Sequence, residues 1–249
     1  MFYLGLDLSL SSTGVCVYMD VNTADTFSIW PKTLKGAARL HFIRKELLSI
    51  IDQYGGPDMF RLACIEGYAY NIKSTGRTWQ LAELGGVVRS ELEELGIPFV
   101  VANIGHVKNF VGLPAGSEKA EVGFAVLERF ARDFRRPIPS SPKQATKVHP
   151  TVDLATWGTL DNHWRDDETD AFILACIAAL YIDSWDVLPN EQQLDIIEMM
   201  KVDPQDVLSA SKRKARQAEM LVDVYARKNI RDKAARKAAR EAKRAARGT

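Results

Sequence analysis

Residues 167–185 constrain the fold of this 249-residue chain more than any other stretch. The run from Ala171 to Ile182, AFILACIAALYI, has the length of a helix and is apolar almost all round. A helix without a polar face has to be covered on every side, so this segment belongs at the centre of a core. Yet it opens on Asp167 and Asp170, three residues apart and on one face. The architecture therefore has to bury the helix body and leave its acidic start at an edge.

The segments before it supply the covering. Residues 2–8 alternate in polarity and end on Asp7; 13–20 and 25–30 are two further strand-like runs joined by the turn-like VNTA. Residues 36–52 show helical spacing through Leu40, Ile43, Leu47, Leu48 and Ile51, and Tyr54-Gly55-Gly56-Pro57 ends that helix. Residues 61–66 form a short buried strand ending on Glu66. A second helical period follows over 76–95, then a strand over 97–102. A helix is expected over 117–132 with Ser117 as its N-cap. The order βββαβαβ followed by helices describes an α/β or α+β domain: a three-stranded antiparallel meander extended by parallel strands into a mixed five-stranded sheet flanked by helices.

The domain reading is 1–185 for this unit, with 133–165, which holds four prolines, as a long loop or insertion. Residues 186–208 form a short helical extension broken at Pro204, and 209–249 a basic tail, helical or disordered. A net charge of +1 hides a strong division. The last 41 residues carry 14 Lys/Arg against 4 Asp/Glu, and the first 208 carry 19 against 28. An acidic body with a basic tail suggests a polyanionic partner. The tail, including Lys212, Arg213, Lys214 and Arg216, either follows a phosphate backbone or stands as a solvated helix or an arm for another acidic partner. Cys16, Cys64 and Cys176 lie scattered in apolar stretches, which argues against a disulfide framework or zinc site and suits a reducing cytoplasm. No apolar run approaches the ~20 residues of a membrane span, and the N-terminus lacks the pattern of a secretory signal.

Asp7, Glu66, Asp167 and Asp170 are the candidate chemistry. A carboxylate ending an apolar strand is costly unless its charge is compensated, and several meeting in one place raise each other's pKa. Mg²⁺ or Mn²⁺ removes both penalties, and a pair of such ions about 4 Å apart is suited to phosphodiester hydrolysis. Taken singly, the same residues read as a turn aspartate, a loop-edge charge and helix N-terminal acids favoured by the macrodipole.

In sequence order these residues resemble the RuvC family of Holliday junction resolvases, within the RNase H-like class. Gly5-Leu6-Asp7-Leu8-Ser9 with Thr13-Gly14 resembles its opening strand and turn. Ile65-Glu66-Gly67-Tyr68-Ala69-Tyr70 resembles its second acidic motif in the form of phage-type members. Val107-Lys108-Asn109-Phe110-Val111-Gly112 followed by Ser117-Glu118-Lys119 resembles its basic stretch, and Asp167-Glu168-Thr169-Asp170-Ala171 its closing helix. The likeness spans roughly residues 1–182.

The resemblance implies an RNase H-like fold and a crossover junction endodeoxyribonuclease acting on four-way DNA in recombination and repair. Asp7, Glu66, Asp167 and Asp170 would hold two Mg²⁺ or Mn²⁺ ions, with Lys119 catalytic and both Lys108 and Lys119 on phosphate. A homodimer through helix 76–95 would place two sites on opposed strands, in the cytoplasm or nucleoid of a host cell. Gly85-Gly86 costs that helix about 1 kcal/mol per glycine relative to Ala, explained either by a second backbone approaching or by close packing on the sheet. The family's aromatic wedge would fall to Tyr68 or Tyr70, since position 69 is Ala; core packing is the other reading of these tyrosines. His163 reads as a surface or supporting residue. Two alternatives stand beside this function: a nuclease for RNA–DNA hybrids or flaps, and a non-catalytic binder of branched DNA.

Overall fold

A computed structural model describes residues 1–67, 78–133, 165–182 and 187–202. The insertion expected at 133–165, apart from its end residues, and the tail from 209 onward lie outside them. The chain divides into two compact units, Met1–Ile197 and Glu198–Thr249, and of the second only Glu198–Val202 is described.

Five strands form one sheet: β1 (Phe2–Asp7), β2 (Thr13–Tyr18), β3 (Ala24–Ile29), β4 (Phe60–Glu66) and β5 (Phe99–Ala102), in the order β3-β2-β1-β4-β5. β1, β2 and β3 pair antiparallel, as the two short turns between them require. β4 and β5 are reached through helices and run parallel to β1 and to each other. This is the mixed five-stranded sheet that the order of segments predicts.

Period-two alternation sorts the strand residues onto two faces. Leu4, Leu6, Leu8, Val15, Val17, Ala63 and Ile65 pack with α1 (Gly36–Gln53) through Ile43, Leu47 and Ile51, and with α2 (Thr78–Glu94) through Leu84, Val88 and Leu92. Arg44 of α1 ties the two helices together by pairing with the buried Glu91 of α2. The opposite face, with Gly5, Asp7, Gly14 and Cys16, belongs to the long apolar helix.

Three more helices build that second layer: α3 (Ile104–Phe110), α4 (Lys119–Phe130) and α5 (Asp166–Tyr181). Every residue of α5 from Ala171 to Leu180 is buried, as its uniform apolarity demands. The sheet covers one side of it, and α3 and α4 cover the other. Phe172 fixes the layer by meeting Tyr18 at 6.1 Å and Phe130 of α4 at 5.6 Å between ring centroids. Helix α6 (Glu191–Val202) begins by docking Gln193, whose Nε2–H donates to the Phe110 carbonyl at 3.0 Å.

Two details differ from the sequence expectation. Helix α4 starts at Lys119 with Glu118 as N-cap, and the Glu121 carboxylate accepts the Glu118 N–H at 2.7 Å. Ser117 is instead buried, its carbonyl accepting from Lys108 Nζ at 2.6 Å. Helix α3 is the other. With only Val107 and Phe110 buried in seven residues, it is too short for periodicity to reveal.

The layers meet most closely at two glycines. A Cβ built on Gly5 falls 1.9 Å from the Ala171 carbonyl oxygen and 2.5 Å from the Ala175 nitrogen; on Gly14 it falls 2.0 Å from the Asp167 carbonyl oxygen. The obstacles are helix backbone, so no rotamer change relieves them. Gly5→Ala is expected to destabilise the protein by roughly 3 kcal/mol or more, at the upper end of overpacking penalties. Urea unfolding measures this; a variant within about 0.5 kcal/mol of wild type would contradict the close approach.

Candidate active site

Strand register creates the first half of the site. β1 and β4 are adjacent and parallel, with Leu6 opposite Ile65 and Gly5 opposite Cys64. Asp7 and Glu66 are the next residues along, so both end their strands at the same edge and on the α5 face. Asp7 pairs across β2 with Gly14, and Glu66 across β5 with Ala102. The turn after Asp7 is closed by Thr13, whose hydroxyl donates to the Ser9 carbonyl at 2.7 Å.

Helix α5 supplies the second half. Its carbonyls at Asp167 and Ala171 lie over Gly14 and Gly5 respectively, so the helix runs antiparallel to β1 with its N-terminus over the Asp7 edge. Asp166, Asp167 and Asp170 thereby arrive beside residues a hundred or more positions earlier. The N-terminal end of a helix is also where carboxylates are favoured.

The charges report how closely these groups gather. Burial pushes the Asp7 carboxyl well above the ordinary carboxylate range, and the Glu66 charge, a hydrogen bond with Glu66, and Asp167 and Asp166 push it further. Asp170 is likewise raised well above its usual value by burial and then by Asp7 and Asp166. Glu66 is raised by burial and Asp170, against the opposing effect of its Asp7 hydrogen bond and of Lys108 and Lys119.

Two lysines rim the acids. Lys108, on α3, places its ammonium on the Ser117 carbonyl and near enough to Glu66 and Asp170 to offset part of their charge. Lys119, at the first position of α4, pairs with Asp166. Burial lowers the Lys119 pKa, but the hydrogen bond and charge of Asp166, with Asp170 and Asp7, outweigh this and hold it above its usual value. The lysine-bearing stretch and the acidic helix, far apart in sequence, close one corner.

A divalent cation fits the donor chemistry of that corner. Asp7, Glu66 and Asp170 hold protons tightly because their surroundings leave negative charge uncompensated, and hard oxygen donors in that condition suit Mg²⁺ or Mn²⁺. Among the described residues, no three His, Cys, Asp or Glu side chains are spaced to grip an ion together. Asp7 and Glu66 hydrogen-bond to each other instead. Side-chain rotation, rather than a preformed cage, would have to bring the carboxylates onto an ion.

Comparison of the sequence with protein-family models and with curated proteins finds no match. Solved structures do match in shape. RuvC of Thermus thermophilus in complex with a Holliday junction substrate aligns with a TM-score of 0.49 and 15% identity, covering 74% of this chain and 97% of that one. The fowlpox virus resolvase with its substrate Holliday junction DNA gives 0.39 and 10%, over 70% and 94% of the two chains. The yeast mitochondrial Holliday junction resolvase gives 0.40 and 12%, over 70% and 75%. By shape, the chain is similar to RuvC and other Holliday junction resolvases. At this distance the likeness assigns no residue a role.

Of the residues singled out in the sequence, the structure gathers Asp7, Glu66, Asp167, Asp170, Lys108 and Lys119. Tyr68, Tyr70, His163, Lys212, Arg213, Lys214 and Arg216 lie outside the described residues. Sequence reasoning missed Asp166, which adds charge to Asp7 and Asp170 and pairs with Lys119. The available signal was its i, i+4 spacing from Asp170, which sets the two on one helix face.

The raised carboxyls set a pH dependence. An acid whose folded pKa is raised contributes stability that is fully present below its unfolded value, near pH 4, and is lost as pH rises through the folded value. In EDTA, thermal unfolding is therefore expected to shift upward as pH falls from about 8 toward about 5. Asp7→Asn should raise the neutral-pH melting temperature by about 2 °C or more. A chelated protein whose stability peaks above neutrality, with Asp7→Asn less stable, would refute the electrostatic reading.

Proposed function

We propose that this protein is a metal-dependent endonuclease that hydrolyses phosphodiesters in branched DNA, resolving four-way junctions by paired nicks as a crossover junction endodeoxyribonuclease. The observation that carries the reading is the convergence of Asp7, Glu66 and Asp170, from two strands and a helix, into one corner with raised proton affinity. Clustered negative charge opposes a phosphate backbone, so a protein that only bound DNA would be better without it.

Asp7, Glu66 and Asp170, with Asp167 or Asp166, would hold Mg²⁺ or Mn²⁺. When bound, such ions supply an activated water and charge for the leaving oxygen. The chain's own residues do the rest. Lys119, whose side chain is 63% exposed, can leave Asp166 for an incoming phosphate oxygen, bringing positive charge to the strand being cut. Lys108 holds the loop before α4 through the Ser117 carbonyl and so fixes where Lys119 begins. The basic residues 209–249 would add phosphate affinity without sequence preference.

Paired nicks need two sites, and α2 offers the surface for a homodimer. Gly86 lies on its exposed face with nothing within 4 Å of a Cβ built there, so packing among the described residues does not explain this glycine. Trp79, on the same helix, is 57% exposed. A second α2 crossing at Gly86 would use both features. Gly86→Lys is expected to yield monomers in sedimentation at concentrations where wild type is dimeric, and to leave binding of one duplex arm intact. A Gly86→Lys protein that stays dimeric would rule this face out.

The deciding assay incubates the full chain with labelled four-way junction, fork, flap and RNA–DNA hybrid substrates, with Mg²⁺ or with EDTA. Wild type should nick the junction symmetrically and only with metal. Asp7→Asn should lower cleavage by at least about 10³-fold, the scale of losing a principal catalytic group, while junction binding persists. Preferential cutting of the hybrid would reassign the substrate; binding without cutting in any divalent metal would leave a non-catalytic DNA-binding protein.

A further inference from the structure

Beside the acidic corner lies a line of hydrogen bonds that the proposed chemistry does not by itself require. Asp167 is 8% exposed, and its Oδ2 accepts from two hydroxyls: Ser12 at 2.5 Å and Ser28 at 2.6 Å. Behind Ser12, the Trp30 indole N–H donates to the same hydroxyl oxygen at 2.5 Å. A serine hydroxyl has one proton. Accepting from Trp30 therefore turns the Ser12 proton toward Asp167, and the relay has one direction.

The neighbouring Glu168 is held separately. Its Oε2 accepts from Thr26 at 2.6 Å and from Arg165 Nη1 at 3.2 Å, and its Oε1 lies 3.0 Å from Ser28 Oγ. Strand β3 thus presents Thr26 and Ser28, two residues apart on one face, to two successive acids of α5. Glu168 is anchored to the sheet, and Asp167 is gripped through a single oxygen. Two donors fill the lone pairs of Oδ2 and leave the remaining acceptor capacity on Oδ1. Asp167 also adds negative charge at Asp7, so its carboxylate borders the corner where a cation would sit.

We infer that Ser12 and Ser28, with Trp30 behind Ser12, are positioning residues that fix the Asp167 carboxylate by Oδ2 so that Oδ1 serves a divalent cation. The inference rests on the metal-dependent reading above. It assigns to a strand and a turn outside the acidic motifs the task of orienting one ligand, the role that outer-shell hydrogen bonds have at metal sites. It also separates the two adjacent aspartates. Asp166 pairs with Lys119, whereas Asp167 is held by neutral hydroxyls that leave its charge uncancelled.

Mn²⁺ titration of the full chain without DNA, read by the electron paramagnetic resonance of free Mn²⁺, tests this. Ser12→Ala/Ser28→Ala is expected to weaken Mn²⁺ binding about 10–100-fold, and Trp30→Phe, which keeps an aromatic ring of smaller size and removes the N–H, by less. Ser28→Thr, which keeps the hydroxyl, should stay close to wild type, as should Thr26→Val, which removes a hydroxyl bonded to Glu168 rather than to Asp167. Melting each variant in EDTA separates lost folding from lost positioning; should the double variant fail to fold, Trp30→Phe decides. Wild-type affinity in Ser12→Ala/Ser28→Ala, or in Asp167→Asn, overturns the inference and leaves the nuclease reading standing. A wild-type protein that binds no Mn²⁺ overturns both.

Discussion

The contact of helix α5 with the centre of the sheet governs this structure. Two positions without side chains, Gly5 and Gly14, let the helix backbone come down onto β1 and β2 to a distance that no other residue allows. Around that contact the described residues form a three-layer arrangement, with helices on both faces of the sheet. Alternating strands bury Leu4, Leu6 and Val15 under α1 and α2, and the wholly apolar helix is enclosed by the sheet and by α3 and α4. The same contact delivers Asp166, Asp167 and Asp170 to the edge where β1 and β4 end. Packing and site assembly are one event, and a change at Gly5 would disturb both.

That arrangement sets stability against function. Carboxyls raised by burial and by each other are a standing cost to the folded chain at neutral pH. The core beneath them bears that cost: the strands leading to Asp7 and Glu66 are almost entirely buried, and the body of α5 is fully so. Rigid apolar elements hold the acids where their charge would otherwise drive them apart. The polar partners are distributed accordingly, with Lys119 on Asp166, and Ser12, Ser28 and Thr26 on Asp167 and Glu168.

Much of this was legible before folding. Alternation marked β1, strand-like or short apolar runs marked the other four strands, helical spacing marked α1 and α2, a candidate cap marked α4, and the lack of any polar face marked α5 as central. Asp7 and Glu66 stood out because a charge ending an apolar strand needs a reason. Helix α3 was illegible because seven residues with two buried positions carry too little period. The start of α4 was misplaced because Ser117 and Glu118 are adjacent and both can cap; a buried contact with Lys108 took the serine. Asp166 was passed over because, in a run of consecutive acids, chain position alone does not tell which side chains share a corner.

The sequence by itself determined the kinds of element, their order, and the placing of acids at their ends, because those follow from local periodicity and from the cost of burying charge. Only the tertiary structure decided which of those ends meet. The parallel register of β1 on β4 and the antiparallel descent of α5 onto two glycines are set by packing between segments far apart in the chain. Distances of that kind are written in no local pattern. They also determine that Ser12, Ser28 and Trp30, unremarkable in a turn and a strand, lie against Asp167.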